Sequence, residues 1–106
     1  MDSFIDREII EKIARRYAEL VNKEIIITQA YLYGSYAKGT NNQDSDIDIA
    51  IIAEGFTGDN VEDIFKLMKI RRKIDNRIEP HPFNNSEFNI SNPFFNEIIS
   101  TGIRIM

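Results

Sequence analysis

At 106 residues with 42% hydrophobic content, the chain can bury one core and has little material for a second lobe, so it reads as a single domain over residues 1–106. A net charge of −4 argues against sequence-independent nucleic-acid binding, which needs a basic surface, and the lack of cysteine excludes disulfides and zinc-thiolate sites. There is no apolar run of about 18 residues and no signal-peptide pattern, which predicts a soluble, cytoplasmic protein without a membrane partner.

Ile9, Ile10, Ile13, Ala14, Tyr17, Leu20 and Val21 recur at helical spacing and predict an N-terminal helix capped by Asp2 or Ser3, with Arg15, Arg16, Glu19 and Lys23 outside. Ile25-Ile26-Ile27-Thr28 is β-branched throughout and is one place where a first strand can begin; the strand then runs through Ala30-Tyr31-Leu32-Tyr33 to Gly34. Ser35-Tyr36-Ala37-Lys38 reads as a helical turn closed by Gly39, and the polar stretch from Thr40 through Gln43 to Ser45 as a loop. A second strand follows, rich in isoleucine from Ile47 to Ile52 and entered through Asp46.

Gly55 to Asn60 is a loop, and Asn60 is placed to cap a helix from Val61 to about Ile74 whose apolar side is Val61, Ile64, Phe65, Leu67 and Met68. Lys66, Lys69, Arg71, Arg72 and Lys73 on that helix read first as a solvated face, the alternative being a basic stripe that contacts nucleotide phosphates or an acidic partner. Arg77 to Phe83 is a third extended segment, marked as short or as an edge by Pro80 and Pro82. After a polar stretch, Pro93 can start a short helix bearing Phe94, Phe95, Ile98 and Ile99, stopped by Gly102 and followed by extended Ile103-Arg104-Ile105.

Chemistry concentrates where Gly34-Ser35 precedes Asp46-Ile47-Asp48 by ten residues. Side chains alternate on a strand, so Asp46 and Asp48 point the same way; two carboxylates on one face repel unless cations reside there. Hard oxygen ligands suit Mg²⁺ carrying substrate phosphates, and a pair of ions would serve the attacking and the leaving oxygen of a displacement. Gly34 lets the main chain approach closely, Ser35 offers a hydroxyl at a turn of exposed amides, and Lys38 lies in the same phosphate-turn region. His81, the one histidine, reads as a strand-end residue, and its spacing from Arg77 departs from the arginine-histidine pair of some ribonucleases.

Gly34-Ser35-Tyr36-Ala37-Lys38-Gly39 followed by Asp44-Ser45-Asp46-Ile47-Asp48 resembles the signature of the polymerase-beta-type nucleotidyltransferases, specifically their small prokaryotic branch, the minimal nucleotidyltransferases. The resemblance implies an α+β fold, a mixed β-sheet with helices packed mainly on one side. It implies an enzyme that moves a nucleoside monophosphate, AMP from ATP or another nucleotide, onto a hydroxyl acceptor with release of pyrophosphate. The family uses a third carboxylate from a later strand, for which Glu79 is the first candidate and Asp75 the alternative; Asp46, Asp48 and Glu79 would then be catalytic and hold two Mg²⁺ ions when nucleotide is bound, while Gly34, Ser35 and Lys38 would bind the nucleotide. Minimal members are often antitoxins that pair with a HEPN-domain toxin and in some systems adenylylate a toxin tyrosine. The alternative role is a binding module that neutralises such a partner by complex formation alone.

Overall fold

The computed structural model describes residues 3–42, 44–57, 59–89 and 91–106. Four strands form one mixed sheet: β1 (Ile27–Tyr33), β2 (Ile47–Ala53), β3 (Ile78–Asn84) and β4 (Ile103–Arg104), in the order β3-β2-β1-β4. β1 pairs antiparallel with β2 and with β4, whereas β2 and β3 run parallel. A parallel pair requires a crossover, and helix α3 (Asn60–Arg71) supplies it. The expected small α+β architecture is the one observed.

β2 is buried on both faces, which explains its near-continuous run of isoleucine and alanine. On one face, Ile47, Ile49, Ile51 and Ala53 pack with Ala30 and Leu32 of β1 against Ile10, Ala14, Tyr17 and Val21 of α1 (Ser3–Asn22) and against Leu67 and Ile70 of α3. Ile27 joins this core although it lies three residues before Ala30, because the β1 register slips by one between Ile27 and Gln29. On the other face, Tyr31, Tyr33, Ala50 and Ile52 lie under Phe88 and under Ile98 of α4 (Pro93–Thr101). The tyrosine and phenylalanine rings interlock there, Phe88 against Phe95 edge-on with centroids 4.3 Å apart. The short turn α2 (Ser35–Lys38) joins β1 to the loop before β2.

Two side-chain hydrogen-bond sets fix buried polar groups inside this frame. The Tyr17 hydroxyl donates to the Leu67 carbonyl at 2.8 Å, tying α1 to α3. Asp63 is buried, and its carboxylate accepts from both the amide and the hydroxyl of Thr57, each at 3.0 Å. Among the described residues no helix is long and apolar enough to cross a membrane.

Several local expectations are corrected. The strand begins at Ile27, not Ile25, and leaves Ile26 exposed. α3 is capped by Asp59, whose carboxylate accepts from the Val61 and Glu62 amides, and it ends at Arg71 rather than near Ile74. Its buried side is Asp63, Leu67 and Ile70, so Val61, Ile64 and Phe65 face outward. Ile9 of α1 is exposed as well. Asp2, one of the two expected caps of α1, lies outside the described residues, as does Gln43 of the polar loop. β3 is an edge strand, as Pro80 and Pro82 require, since each lacks the amide that a second neighbour would need.

Candidate active site

The row of side chains that defines the site follows from strand register. Tyr33 is opposite Asp48 in the antiparallel pair, and Asp48 is opposite Glu79 in the parallel pair, so all three share the aromatic face at the end where β2 begins. Neighbouring strands lie about 4.7–4.9 Å apart, which makes the register partners Asp48 and Glu79 immediate neighbours. His81, two positions beyond Glu79 on the same face, brings Nε2 to 3.6 Å from Asp48 Oδ1. Its ring meets the Tyr33 ring edge-on with centroids 5.5 Å apart.

Gly34 closes the row. Its φ of 77° with ψ of −152° is a backbone state essentially reserved for glycine. A Cβ there would collide with a carboxylate oxygen of Asp48 and lie 3.2 Å from its Cγ. The missing side chain thus leaves the space into which the Asp48 carboxylate projects. The chain then turns through α2, where the Ser35 carbonyl accepts from the Gly39 and Thr40 amides, and Gly39 ends the turn in the left-handed conformation with open space where a Cβ would stand.

The electrostatics of the row are visible in Tyr33. Burial, and then the negative charges of Asp48 and Glu79, push its phenol well above the usual tyrosine range. Phe94 of α4 stands edge-on to Tyr33 at 5.7 Å and also contacts Phe83, so an aromatic wall with an exposed ring borders the carboxylates.

The other expected site residues are placed as follows. Asp46 precedes the first ladder residue, Ile47, and is exposed, so strand alternation does not fix its side chain beside Asp48. The Ile47 amide donates to the Arg77 carbonyl at 2.8 Å, which brings the acidic loop to the start of β3. Asp75 lies in the turn before β3 and forms a two-pronged pair with Arg77, Nε to Oδ1 at 3.1 Å and Nη2 to Oδ2 at 2.8 Å. That hydrogen bonding holds the Asp75 carboxyl below the usual range. Glu79, not Asp75, is therefore the carboxylate set beside Asp48. Ser35 is half-buried, and Lys38 reaches Glu97 of α4 at 2.7 Å.

Among the described residues no three His, Asp or Glu side chains converge as a ready-made metal centre. The donor chemistry nevertheless fits a hard divalent cation: two neighbouring carboxylates, a third two residues upstream, and a glycine whose lack of a side chain makes room for the Asp48 carboxylate. Pattern reading missed three participants, namely the His81 contact, Tyr33 in the row, and Glu97 as partner of Lys38. The period-two run Glu79-x-His81-x-Phe83 carried a signal for the first; nothing in the sequence marked the last.

A family model described as polymerase beta, nucleotidyltransferase, matches residues 11–106. No curated protein matches the chain. Among solved structures, a presumed nucleotidyltransferase from Sulfolobus solfataricus superposes with a TM-score of 0.67 at 23% identity, covering 98% of this chain and 86% of its own. A toxin-antitoxin structure containing AMP-PNP superposes with a TM-score of 0.62 at 23% identity, covering 87% of this chain and 72% of its own. At such identities the structural likeness concerns the fold.

Proposed function

The chain belongs to the polymerase beta nucleotidyltransferase family, and on that premise we propose that it transfers AMP from ATP to a hydroxyl acceptor in a magnesium-dependent reaction. The observation that carries this reading is the lateral pairing of Asp48 with Glu79 across β2 and β3, beside a glycine that no other residue could replace without displacing Asp48. Asp46, Asp48 and Glu79 would hold the ions, which when bound would supply charge neutralisation at the phosphates and lower the pKa of the acceptor hydroxyl. Gly34 and Ser35 offer the main chain to the phosphates, and Lys38 is within the same turn. The acceptor oxygen forms a bond to the α-phosphorus as the bond from that phosphorus to the bridging oxygen breaks. Pyrophosphate leaves with the electron pair, and Glu79 would take the acceptor proton as the base.

The acceptor proposed is a tyrosine of a HEPN-type toxin, which would make this chain a cytoplasmic antitoxin. Support comes from the fold likeness to the toxin-antitoxin structure. Neutralisation by complex formation without catalysis is the second reading, favoured by an unpartnered apolar helix face on the side of the sheet away from the carboxylates. The test is transfer of label from α-labelled ATP in the presence of a candidate partner. Asp48→Asn should abolish transfer and pyrophosphate release while leaving complex formation intact. Full neutralisation of the partner by that variant would favour the second reading, and label transfer by it at the wild-type rate would defeat the first.

A further inference from the structure

Helix α3 carries two apolar stripes, although its packing on the sheet needs only one. Leu67 and Ile70 are buried against β3 and α1, and the opposite side presents Val61 at 81%, Phe65 at 58% and Ile64 at 37% exposure. These three, with Met68, Lys69 and Arg72, line an open groove of about 490 Å³. Elsewhere among the described residues large exposed apolar side chains are scattered: Ile9, Ile26, Phe94 and Ile99. Only on α3 do they align at positions i, i+3, i+4 and i+7, the spacing by which one helix reads another.

Charge selects the occupant. In a chain of net charge −4, five of the 13 lysines and arginines fall within residues 66–73. Lys69 lies over the Phe65 ring with Nζ 4.8 Å from its centroid, and Arg72 also lines the groove. Two copies joined through this face would each bring Lys66, Lys69 and Arg72 on the outer side of α3 against the single exposed acid of the helix, Glu62. An occupant with acidic flanks relieves that imbalance.

We propose that the outer face of α3 is a docking surface for an amphipathic helix of another protein, its apolar ridge seated among Val61, Ile64, Phe65 and Met68 and its acidic flank against Lys69 and Arg72. The proposal rests on the protein-partner part of the reading above, not on nucleotidyl transfer. α3 covers the sheet face opposite to Asp48 and Glu79, so a docked helix leaves the carboxylates accessible.

The test uses the full chain and two labelled helical peptides with the same leucine ridge, one flanked by glutamate and one by lysine, titrated by fluorescence anisotropy. The glutamate-flanked peptide should bind at least about tenfold tighter, with the difference shrinking at high salt. Phe65→Asp should weaken it by about tenfold or more while thermal melting and Mg-ATP binding stay as in the wild type, and the double variant Lys69→Glu, Arg72→Glu should reverse the flank preference. Equal affinity for both peptides, no binding of either, or binding indifferent to Phe65→Asp would overturn the proposal. So would a wild-type dimer in sedimentation equilibrium that Phe65→Asp dissolves, since a second copy would then cover the face. Loss of label transfer in Asp48→Asn bears on the catalytic reading alone, so the two can fail separately.

Discussion

Gly34 and Asp48 exclude each other's volume: the carboxylate of Asp48 occupies the place where a side chain on Gly34 would begin. Gly34→Ala therefore does two things at once. It strains a positive-φ backbone, at a cost of about 1–3 kcal/mol, and it drives Asp48 out of line with Glu79. Gly39 shares the positive φ but has open space around it, so Gly39→Ala should show the backbone cost without the displacement. Urea unfolding should find both variants destabilised, and calorimetric titration with Mg-ATP should find binding lost only in Gly34→Ala. Equal nucleotide affinity in the two would mean that Asp48 does not serve the nucleotide.

Tyr33 and Tyr17 give the fold a pH limit on the alkaline side. Burial raises both phenols well above the value of about 10 found in an unfolded chain. Above that pH the unfolded chain releases protons that the native state retains, so stability is intact below about pH 10 and declines as pH rises further, by about 1.4 kcal/mol per pH unit for each such phenol. Urea midpoints taken between pH 9 and 11 should fall, and Tyr33→Phe should flatten that slope by about one phenol's share while changing little at pH 7. An unchanged slope in Tyr33→Phe would place its hydroxyl in solvent.

The Lys38–Glu97 pair joins the phosphate turn to α4, but both side chains are about half exposed. Exposed pairs contribute roughly 0–1 kcal/mol, so Glu97→Gln should hardly move the thermal midpoint. Its expected effect is on ligand affinity: with its counter-charge removed, Lys38 becomes available to phosphate oxygens, and Mg-ATP should bind a few-fold tighter, whereas Lys38→Ala should bind weaker. If neither variant alters the affinity, Lys38 belongs to the α2–α4 contact alone.

Where composition and local geometry decide the outcome, the sequence was legible. β2 announces itself because a strand buried on both faces has to be isoleucine-rich, and Gly34 announces itself because its backbone state admits little else. Asp46 was harder. Alternation would place it beside Asp48 only if the strand extended that far, and the ladder begins one residue later, with Ile47 opposite Ile78. The orientation of α3 was legible only at Leu67, which is buried as expected. Asp63 occupies the true inward stripe and is stabilised there by Thr57, six residues away in the preceding loop, while Val61, Ile64 and Phe65 decorate the outward side. Periodicity reports that a stripe is apolar, not whether the rest of the chain covers it. The Lys38–Glu97 pair, 59 residues apart, lies beyond any local signal.

The rotation of α3 makes a sharp prediction, because the two stripes assign opposite costs to similar substitutions. Leu67 is fully buried between α1 and the sheet, and its backbone carbonyl accepts the Tyr17 hydroxyl, so Leu67→Ala leaves a cavity at a site held rigid from two sides. A loss of about 2–5 kcal/mol is expected. Val61, six residues earlier, is mostly exposed, and Val61→Ala should stay within about 0.5 kcal/mol of the wild type. Asp59→Ala, which removes the cap that both the Val61 and Glu62 amides use, should fall between them at about 1 kcal/mol. Denaturant unfolding of the three variants checks this order. If Val61→Ala cost as much as Leu67→Ala, α3 would have to be turned by about half a rotation in solution, and the outer face would no longer be free to dock a partner.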